Sequence, residues 1–412
     1  MLRVLSNPVY RRLFLAQIVA LTGTGLATVA LGLLVYQLDP GNAGGVLGTA
    51  LAVKMVAYVF VAPLAAAALA RLPRRAVMVG ADLVRLLVAV SLPFVGQAWQ
   101  VYVLIFVLQA ASATFTPTFQ SVIPDILPGE EDYTSALSLS RLAYDLEAVL
   151  SPMLAAVLLL VVPSTALFFG TGIGFAGSAV LVVSTVLPRR DTPSDGVPEM
   201  PFGQRARNGI VLFLKTPGLR PVLALNLAVA AAGAFVLVQT VVIARSTFDQ
   251  GDAMVALLLA ANGAGSMGAA IALPRVLRRW TERSVMLGGA VLLTLATGLI
   301  PLALSAPRPT VGLTVVAGLW ILVGIGWAAV ETPVGRLIRR GVASRDLAAA
   351  FAAQFSLSHA CWLVTYPVAG WLGGISLTVT ALALAGVAGC ATLLSAWLWQ
   401  RTPVSEHGMV GS

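Results

Sequence analysis

Charge is scarce in this chain. Only 10% of its 412 residues are Asp, Glu, Lys or Arg, whereas about a quarter is usual for a soluble domain. Hydrophobic residues make up 58%, and the mean hydropathy is +0.91. Apolar stretches recur along the whole sequence, which excludes a soluble domain held by a single anchor. We therefore predict that the fold itself spans the membrane.

Cysteine and histidine are also scarce, with two of each. Cys361 and Cys390 fall inside apolar stretches, where a thiol behaves as a small hydrophobic residue, so we expect neither a disulfide framework nor a metal site. The sequence contains no phosphate-binding loop, metal-ligand cluster or nucleophile paired with a base. We expect no enzymatic activity, no catalytic residue and no cofactor, which also disfavours an ATP-driven pump.

Twelve apolar segments are long enough to cross a bilayer. A span needs about 20 apolar residues, because roughly 30 Å of hydrocarbon is crossed at about 1.5 Å per residue. The segments are residues 12–37, 46–70, 76–95, 99–122, 135–162, 165–187, 221–244, 253–274, 284–304, 310–332, 347–372 and 377–399. The first is too long for the core of a secretory signal and has no small-residue cleavage site after it, so we interpret it as span 1. The expected fold class is an all-α polytopic membrane protein with twelve transmembrane helices.

The basic residues lie mainly on one side of these spans. Of the 26 Lys and Arg residues, 21 lie in segments that share a face with both termini, two lie on the opposite face and three lie inside spans. The positive-inside rule then places both termini in the cytoplasm, which requires an even number of spans. We expect a multi-pass protein of the cell membrane. This charge bias accounts for most of the positive charge behind the net charge of +9, so no nucleic-acid partner is expected.

A polar segment divides the chain into two parts. Residues 187–221 are rich in Pro, Gly and charge, and they separate six spans from six. We predict an N-terminal six-helix bundle (1–187), a cytoplasmic linker (188–220), a C-terminal six-helix bundle (221–400) and a cytoplasmic tail (401–412). A linker of this length lets two bundles move relative to each other.

Two sequence matches relate the two parts. The segment "RLPRRAVMVG" (71–80) aligns without gaps with "RWTERSVMLG" (279–288), and both follow an even-numbered span. A second match relates spans 4 and 5 to spans 10 and 11 through prolines at similar spacing: Pro117 and Pro152, Pro333 and Pro367. Because both matches are in register with the spans, they indicate an internal repeat.

These features resemble the major facilitator superfamily, in particular its twelve-span efflux-type branch of drug, macrolide and siderophore exporters, over essentially the whole chain. The resemblance implies two pseudo-symmetric six-helix bundles, a central cavity and alternating access by rocking of the bundles. The loop motif of the family aligns with residues 66–75, where Ala70 replaces its Asp. The matching loops of the two parts are expected to form a cytoplasmic gate with five arginines: Arg71, Arg74, Arg75, Arg279 and Arg283.

Two further motifs of that family are altered. Its antiporter-type motif aligns with residues 147–156, "EAVLSPMLAA", in which Glu147 replaces a glycine. Phe106 stands where its span 4 motif has an arginine. The chain therefore lacks a residue that the usual drug-antiporter route of proton coupling employs.

Charged residues inside the spans are the first candidate functional residues. In the first half they number three of each sign: Lys54, Asp82, Arg85, Arg141, Asp145 and Glu147. A charge at mid-bilayer costs at least about 2.5–3.5 kcal/mol, so pairing is expected. Asp82 can pair with Arg85 along one helix. Arg141 can pair with Asp145 along another, which leaves Lys54 and Glu147 for each other.

Glu331 and His359 complete the candidates for ion coupling or buried charge. Asp145 and Glu147 are the other titratable candidates for coupling. Ion pairs that only hold a bundle together fit the same pattern, so the structural and coupling interpretations both stay open.

Polar and aromatic side chains on the spans are the candidate walls of a substrate cavity. Most recur at helical spacing on one face of a span: Gln17, Thr24, Thr28, Gln109, Ser112, Thr116, Tyr144, Trp320, Trp327, Gln354, Trp362 and Tyr366. Core packing and ligand stacking are both compatible with the aromatic members. Walls of this composition favour a largely apolar or weakly polar substrate.

We predict a secondary transporter that moves a small hydrophobic or amphipathic organic molecule across the membrane by alternating access, as an exporter driven by a proton or ion gradient. The expected partners are the small molecule, H⁺ and the lipid bilayer, and the expected state is a monomer. Two alternatives stay open. A lipid or lysophospholipid flippase of the same fold would be stimulated by lipid, and a non-transporting membrane receptor would bind a ligand without flux.

Overall fold

The computed structural model describes residues 2–61, 72–187, 210–342 and 347–400. All regular structure in these ranges is helical. Twelve long helices run through them: α1 (Pro8–Leu38), α2 (Ala43–Val56), α3 (Arg74–Ser91), α4 (Ala98–Ile126), α5 (Glu130–Leu158), α6 (Ala166–Val183), α7 (Arg220–Val242), α8 (Asp252–Val276), α9 (Glu282–Gly298), α10 (Pro309–Glu331), α11 (Leu347–Gly373) and α12 (Leu377–Gln400). Shorter helical segments lie beside them: Leu2–Ser6, Ala57–Val61, Leu92–Phe94, Ile243–Thr247, Ile300–Leu304 and Val334–Gly341.

Each predicted span overlaps one of the twelve long helices, and residues 62–70 of the second predicted span lie outside the described residues. Within the described ranges, ten helices are long and apolar enough to cross a membrane. The helices over predicted spans 5 and 11, α5 and α11, are outside that set. A multi-pass membrane protein is therefore confirmed, while the count of twelve spans stays a prediction.

Polar caps set several helix starts that hydropathy leaves open. The Asn7 side chain accepts hydrogen bonds from the backbone amides of Val9 at 3.0 Å and Tyr10 at 3.2 Å, and Pro8 occupies the first helical position of α1. Thr281 caps α9 by accepting a bond from the Ser284 amide at 3.2 Å. These bonds satisfy amides that have no partner inside the helix, so the loops before α1 and α9 are held in defined positions.

Helix packing repeats with an interval of six helices. α1 packs against α5 and α6, and α7 packs against α11 and α12. α3 packs against α4 and α6, and α9 packs against α10 and α12. Between the first half of the chain (2–187) and the second (210–400), the largest contacts are those of α2 with α11 and of α5 with α8. The same interval relates these two contacts, as an internal repeat predicts.

A buried ion pair lies inside the first half, between α3, α4 and α6. Asp82 and Arg85 form the pair that the sequence predicts, and their side chains are 0% and 5% exposed. Ser178 donates a hydrogen bond from Oγ to Asp82 Oδ2 at 2.7 Å. The Arg85 guanidinium lies 4.5 Å from the ring centre of Phe115 and 4.6 Å from that of Phe175. The pair therefore ties three helices of the first half together.

Removal of Asp82 should destabilise the protein strongly. Asp82→Ala removes the Asp82 carboxylate from beside the buried Arg85 guanidinium, and breaking a buried ion pair in this way costs about 3–5 kcal/mol. The gap-free repeat alignment places Ala290 and Leu293 at the equivalent positions of the second half, where both are fully buried.

The double variant Asp82→Ala, Arg85→Leu reproduces that apolar pair. We expect it to recover most of the loss in thermal unfolding midpoint, measured on detergent-purified protein, because two buried charges are then removed together. A double variant no more stable than Asp82→Ala would contradict the assignment of this pair as a local packing element.

Candidate functional site

Two polar contacts tie corresponding helices in the two halves. Ser140 of α5 donates to Gln17 of α1 at 3.1 Å. Asn226 of α7 and Gln354 of α11 exchange two hydrogen bonds, at 3.2 and 3.1 Å. All four side chains are buried. Gln17 and Gln354, which the sequence predicts as cavity walls, are therefore ties between helices, because their amides are covered and already bonded.

Trp320, which the sequence also predicts as a cavity wall, is instead enclosed in the second half. Its side chain is fully buried and donates from Nε1 to Thr240 Oγ1 at 2.8 Å. Its ring packs edge-on against Phe235 at a centroid distance of 6.2 Å. Because it is enclosed between α7 and α10 with its one donor satisfied, Trp320 is a core residue of the second half.

Other predicted wall residues bond to their own helices. The hydroxyls of Thr24 and Thr28 each donate to the carbonyl oxygen four residues earlier at 3.0 Å. Ser112 is buried and bonds in the same way at 2.9 Å. Gln109 is 4% exposed, and its Oε1 has no hydrogen-bond partner among the residues that the structure describes. Thr28 also lines a small enclosed cavity between the halves, with aliphatic side chains of α1, α2, α7 and α8.

Lys54 and Glu147, which the sequence predicts to pair across spans, form no direct ion pair. Lys54 Nζ lies 5.8 Å from the ring centre of Tyr58, one helical turn further along. Between the side chains of Lys54 and Glu147, both of which the structure describes, no nitrogen–oxygen contact within 4.0 Å forms. The pairing that the sequence predicts is therefore not a direct ion pair in this arrangement.

A glycine of α1 positions Glu147. A Cβ built on Gly25 would lie 2.1 Å from Cβ of Ser151 and 2.6 Å from Oε1 of Glu147. Real Cβ atoms do not approach so closely, so glycine is required at position 25 for α5 to pack here. The Glu147 carboxylate is consequently held against α1.

A glycine of α7 positions an aromatic cluster in the second half. A Cβ built on Gly233 would lie 2.3 Å from Cη2 of Trp362 and 3.0 Å from Cζ3 of Trp327. The two indole rings pack at a centroid distance of 5.0 Å, and Trp362 packs against Tyr366 at 5.1 Å. Trp327 and Trp362 are both partly buried. Their rings therefore form a surface of the second half that is neither core nor fully exposed.

The carboxylate and the indole occupy equivalent positions in the repeat. When Pro152 is aligned with Pro367 in the sequence repeat, Glu147 aligns with Trp362. In the first half, Gly25 of α1 leaves room for Glu147 of α5, and in the second half Gly233 of α7 leaves room for Trp362 of α11. The first half uses this arrangement to present a charge, and the second half uses it to present an aromatic ring.

Two aromatic contacts join the halves at Tyr58, one helical turn after Lys54. The Tyr58 ring meets the His359 ring at 5.5 Å and the Phe355 ring at 6.2 Å. His359 Nδ1 lies 2.7 Å from the carbonyl oxygen of Phe355. Because a carbonyl oxygen only accepts, Nδ1 carries the hydrogen of this bond. Sequence reasoning missed Tyr58 and Phe355, although each lies four residues from a candidate on the same helix.

α2 and α11 are tightly closed at the end that the sequence predicts to face outside. A Cβ built on Gly48 would lie 2.5 Å from the Tyr366 carbonyl oxygen and 3.0 Å from Cα of Gly370. Gln239 of α7 is fully buried beside this contact and donates from Nε2 to the carbonyl oxygen of Ala369 at 2.6 Å. The backbones of the two halves are thus in van der Waals contact here.

The predicted gate arginines of the first half hold helix ends together. Arg74 pairs with Asp125 at the end of α4, and Arg75 donates to a carbonyl oxygen at the end of α6. The second half repeats the first of these ties with reversed charges, since Glu282 at the start of α9 pairs with Arg340 at 2.9 Å. Each of these three contacts joins helices of the same half, and none of the three connects one half to the other.

The remaining predicted residues are exposed or partly buried, or they lie outside the part of the chain that the structure describes. Arg279 and Arg283 are exposed, and Glu331 is partly buried at the end of α10. Arg71 lies in a segment outside the described residues. The same holds for the side chains of four helical residues, Thr116, Arg141, Tyr144 and Asp145. The pairing of Arg141 with Asp145 therefore stays a prediction.

The long apolar helices, their repeated packing and the aromatic contacts between the halves define a multi-pass membrane protein with an internal repeat. The sequence matches the Major Facilitator Superfamily over residues 13–359. The chain belongs to this family of membrane transporters.

Individual relatives are distant. The chain is 25% identical over 281 residues to the uncharacterized MFS-type transporter YfiS of Bacillus subtilis (strain 168), and the match covers 66% of this chain and 64% of that relative. The chain therefore spans less than two thirds of the length of YfiS. Among solved structures, a mutant of the nucleoside transporter NupG is similar with a TM-score of 0.72 and 14% identity, covering 95% of this chain and 100% of that chain. A mutant of the peptide transporter POT is similar with a TM-score of 0.70 and 14% identity, covering 95% of this chain and 94% of that chain. These two likenesses show the fold alone.

Proposed function

We propose that this protein is a secondary transporter that exports a small amphipathic organic molecule by alternating access, driven by a proton or ion gradient. One observation carries the proposal. The Tyr58 ring, which lies beside Lys54 in the first half, contacts the rings of His359 and Phe355 of α11 across the two halves. Polar groups in the membrane are costly, so a set gathered between two halves is best explained by a ligand path.

The packing repeat supports two six-helix bundles of six spans each, over residues 1–187 and 221–400, with 188–220 as a cytoplasmic linker. Most contacts of α1, α3, α7, α9 and α12 stay within one half, whereas α2 meets α11 and α5 meets α8 across the halves. Rocking of one bundle on the other would open these cross-half contacts on one side of the membrane and close them on the other.

The observed arrangement supports loading from the cytoplasm. The outer ends of α2 and α11 are closed by the contact of Gly48 with Gly370. Phe355 lies nearer the cytoplasmic end of α11, contacts Tyr58 across the halves and is 46% exposed. Closure at the outer end is the arrangement in which an exporter would load from the cytoplasm.

Glu147 is the proposed coupling group. It is a partly buried carboxylate of α5 that lies against Gly25 of α1 and forms no direct ion pair with Lys54. A carboxylate in this position can exchange a proton between the two open states, because each state exposes the space between the halves to a different solution.

A proteoliposome flux screen with an imposed pH gradient tests the proposal. Fluorescent amphipathic compounds of each charge type serve as probes. We expect the wild type to show flux that rises with the gradient, and Glu147→Gln to lose this dependence. Glu282→Gln is the matched control, because it removes a carboxylate that pairs with Arg340 away from the site. Equal gradient dependence in Glu147→Gln and wild type would remove the coupling role, and binding without flux would overturn the transport proposal.

A further inference from the structure

Lys54 and Glu147 carry opposite charges and form no direct ion pair with each other. Lys54 Nζ has a ring neighbour, Tyr58, at 5.8 Å. Glu147 Oε1 lies beside the bare backbone of Gly25. No nitrogen–oxygen contact between these two side chains falls within the 4.0 Å limit of an ion pair, so a gap separates the two charges. Charges in a low-dielectric region are costly unless they are paired directly, so this gap is unfavourable without a ligand.

The second half supplies a flat aromatic surface at the equivalent place. Trp362 takes the repeat position of Glu147, and its ring extends to Trp327 on one side and to Tyr366 on the other. Indole rings attract planar aromatic groups through stacked or edge-on contacts. The two walls thus offer different chemistry, with a separated ion pair in the first half and an aromatic face in the second.

We propose that the transported molecule is an aromatic zwitterion. Its ammonium group binds the Glu147 carboxylate, its carboxylate binds the Lys54 ammonium, and its ring stacks on the Trp362 indole. This inference rests on the proposed transport function and narrows the substrate class, since it replaces the weakly polar substrate that the wall composition favours.

The charge balance of the site favours a zwitterion over a singly charged molecule. A zwitterion supplies a direct partner to Lys54 and to Glu147, and adds no net charge to the membrane interior. A monocation would pair with Glu147 and leave Lys54 unpaired. A monoanion would do the reverse. Either ion therefore leaves one buried charge uncompensated, which is the expensive situation for charges in a low-dielectric region.

Three probes that share one ring separate these cases. Tryptophan is a zwitterion, tryptophan methyl ester is a cation and N-acetyltryptophan is an anion at neutral pH. Binding to the purified full chain is measured by isothermal titration calorimetry. We expect tryptophan to bind at least about tenfold more tightly than either derivative, a modest value for one lost charge partner in a desolvated site.

Variants of the two charged residues should redirect this preference. In Glu147→Gln the anion should become the best ligand, because only the Lys54 charge is left. In Lys54→Met the cation should become the best ligand. The double variant keeps the site neutral and should bind the three probes equally. Trp362→Leu should weaken all three by a similar factor, whereas Trp280→Leu, at a position 64% exposed in the loop before α9, is the matched control and should change none.

Equal affinities in the wild type, absence of binding by all three probes, or a ranking that neither single variant changes would overturn the zwitterion assignment. Failure of this inference is distinguishable from failure of the proposed function. Gradient-driven flux of some other compound in the proteoliposome screen would leave a transporter with a different substrate class. Absence of any flux would remove the transport function itself.

Discussion

Gly48→Val should abolish transport and hold the protein open to the outside. A Cβ at this position would lie 2.5 Å from the Tyr366 carbonyl oxygen and 3.0 Å from Cα of Gly370. Both atoms belong to the backbone of α11, so no side-chain rotation relieves the clash. α2 and α11 must then separate at their outer ends, and the closed arrangement described above is excluded. Since alternating access needs both arrangements, flux should fall to background.

Alkylation by a membrane-impermeant maleimide measures this opening. Cysteine is placed at Thr49, whose hydroxyl lies 3.2 Å from Trp371 Nε1 across α2 and α11, after Cys361 and Cys390 are replaced by serine. We expect at least about a tenfold rise in labelling, since a shift of about 1.4 kcal/mol between states already has that effect. Gly80→Val is the matched control, because no atom lies within 4 Å of its built Cβ. Slow labelling of an inactive Gly48→Val protein would contradict the assignment.

Gly25→Ala should reduce transport by up to about a hundredfold, the effect known for displacing a functional group by about 1 Å. The added methyl group would lie 2.1 Å from Cβ and Oγ of Ser151 and 2.6 Å from Oε1 of Glu147. α5 must shift away from α1, and the Glu147 carboxylate moves with it. The initial rate of gradient-driven flux in proteoliposomes measures the loss.

A second-site change tests whether this contact is the cause. Ser151→Gly removes the two atoms nearest to the added methyl group, while the Glu147 carboxylate is the far end of a flexible side chain and can rotate. We therefore expect Gly25→Ala with Ser151→Gly to recover much of the flux lost in Gly25→Ala. Gly318→Ala, with no atom within 4 Å of its built Cβ, should behave as wild type. A double variant as inactive as Gly25→Ala would show that Glu147 is not positioned by this contact.

The helical membrane fold could be predicted from sequence because hydropathy alone decides it. Helix ends could not, since they depend on polar residues. The first span is predicted at 12–37, but α1 begins at Pro8 because Asn7 caps it. The fifth is predicted at 135–162, but α5 begins at Glu130, where hydropathy carries no signal for a helix that continues into water. Caps and charged first turns extend helices beyond their apolar parts.

The site was only partly predictable, because hydropathy does not tell which neighbour a side chain meets. Trp320 and Trp327 lie on the same helix, yet Trp320 is enclosed against Thr240 and Trp327 packs on Trp362. That difference depends on contacts distant in sequence. Gly25 carried no signal at all, since its importance lies in the Cβ that it lacks. The charges were found readily, because a charge in an apolar run is conspicuous.

The central claim is that two halves of the chain close around one site and open on alternate sides. Paired spin-label distances test it most directly, with one pair at Gly41 and Ile375 on the predicted outer face and another at Leu72 and Trp280 on the predicted cytoplasmic face, all exposed positions. When pH or tryptophan is varied, we expect the outer distance to lengthen as the inner distance shortens. Distances that stay fixed, or that change in the same direction on both faces, would contradict the account.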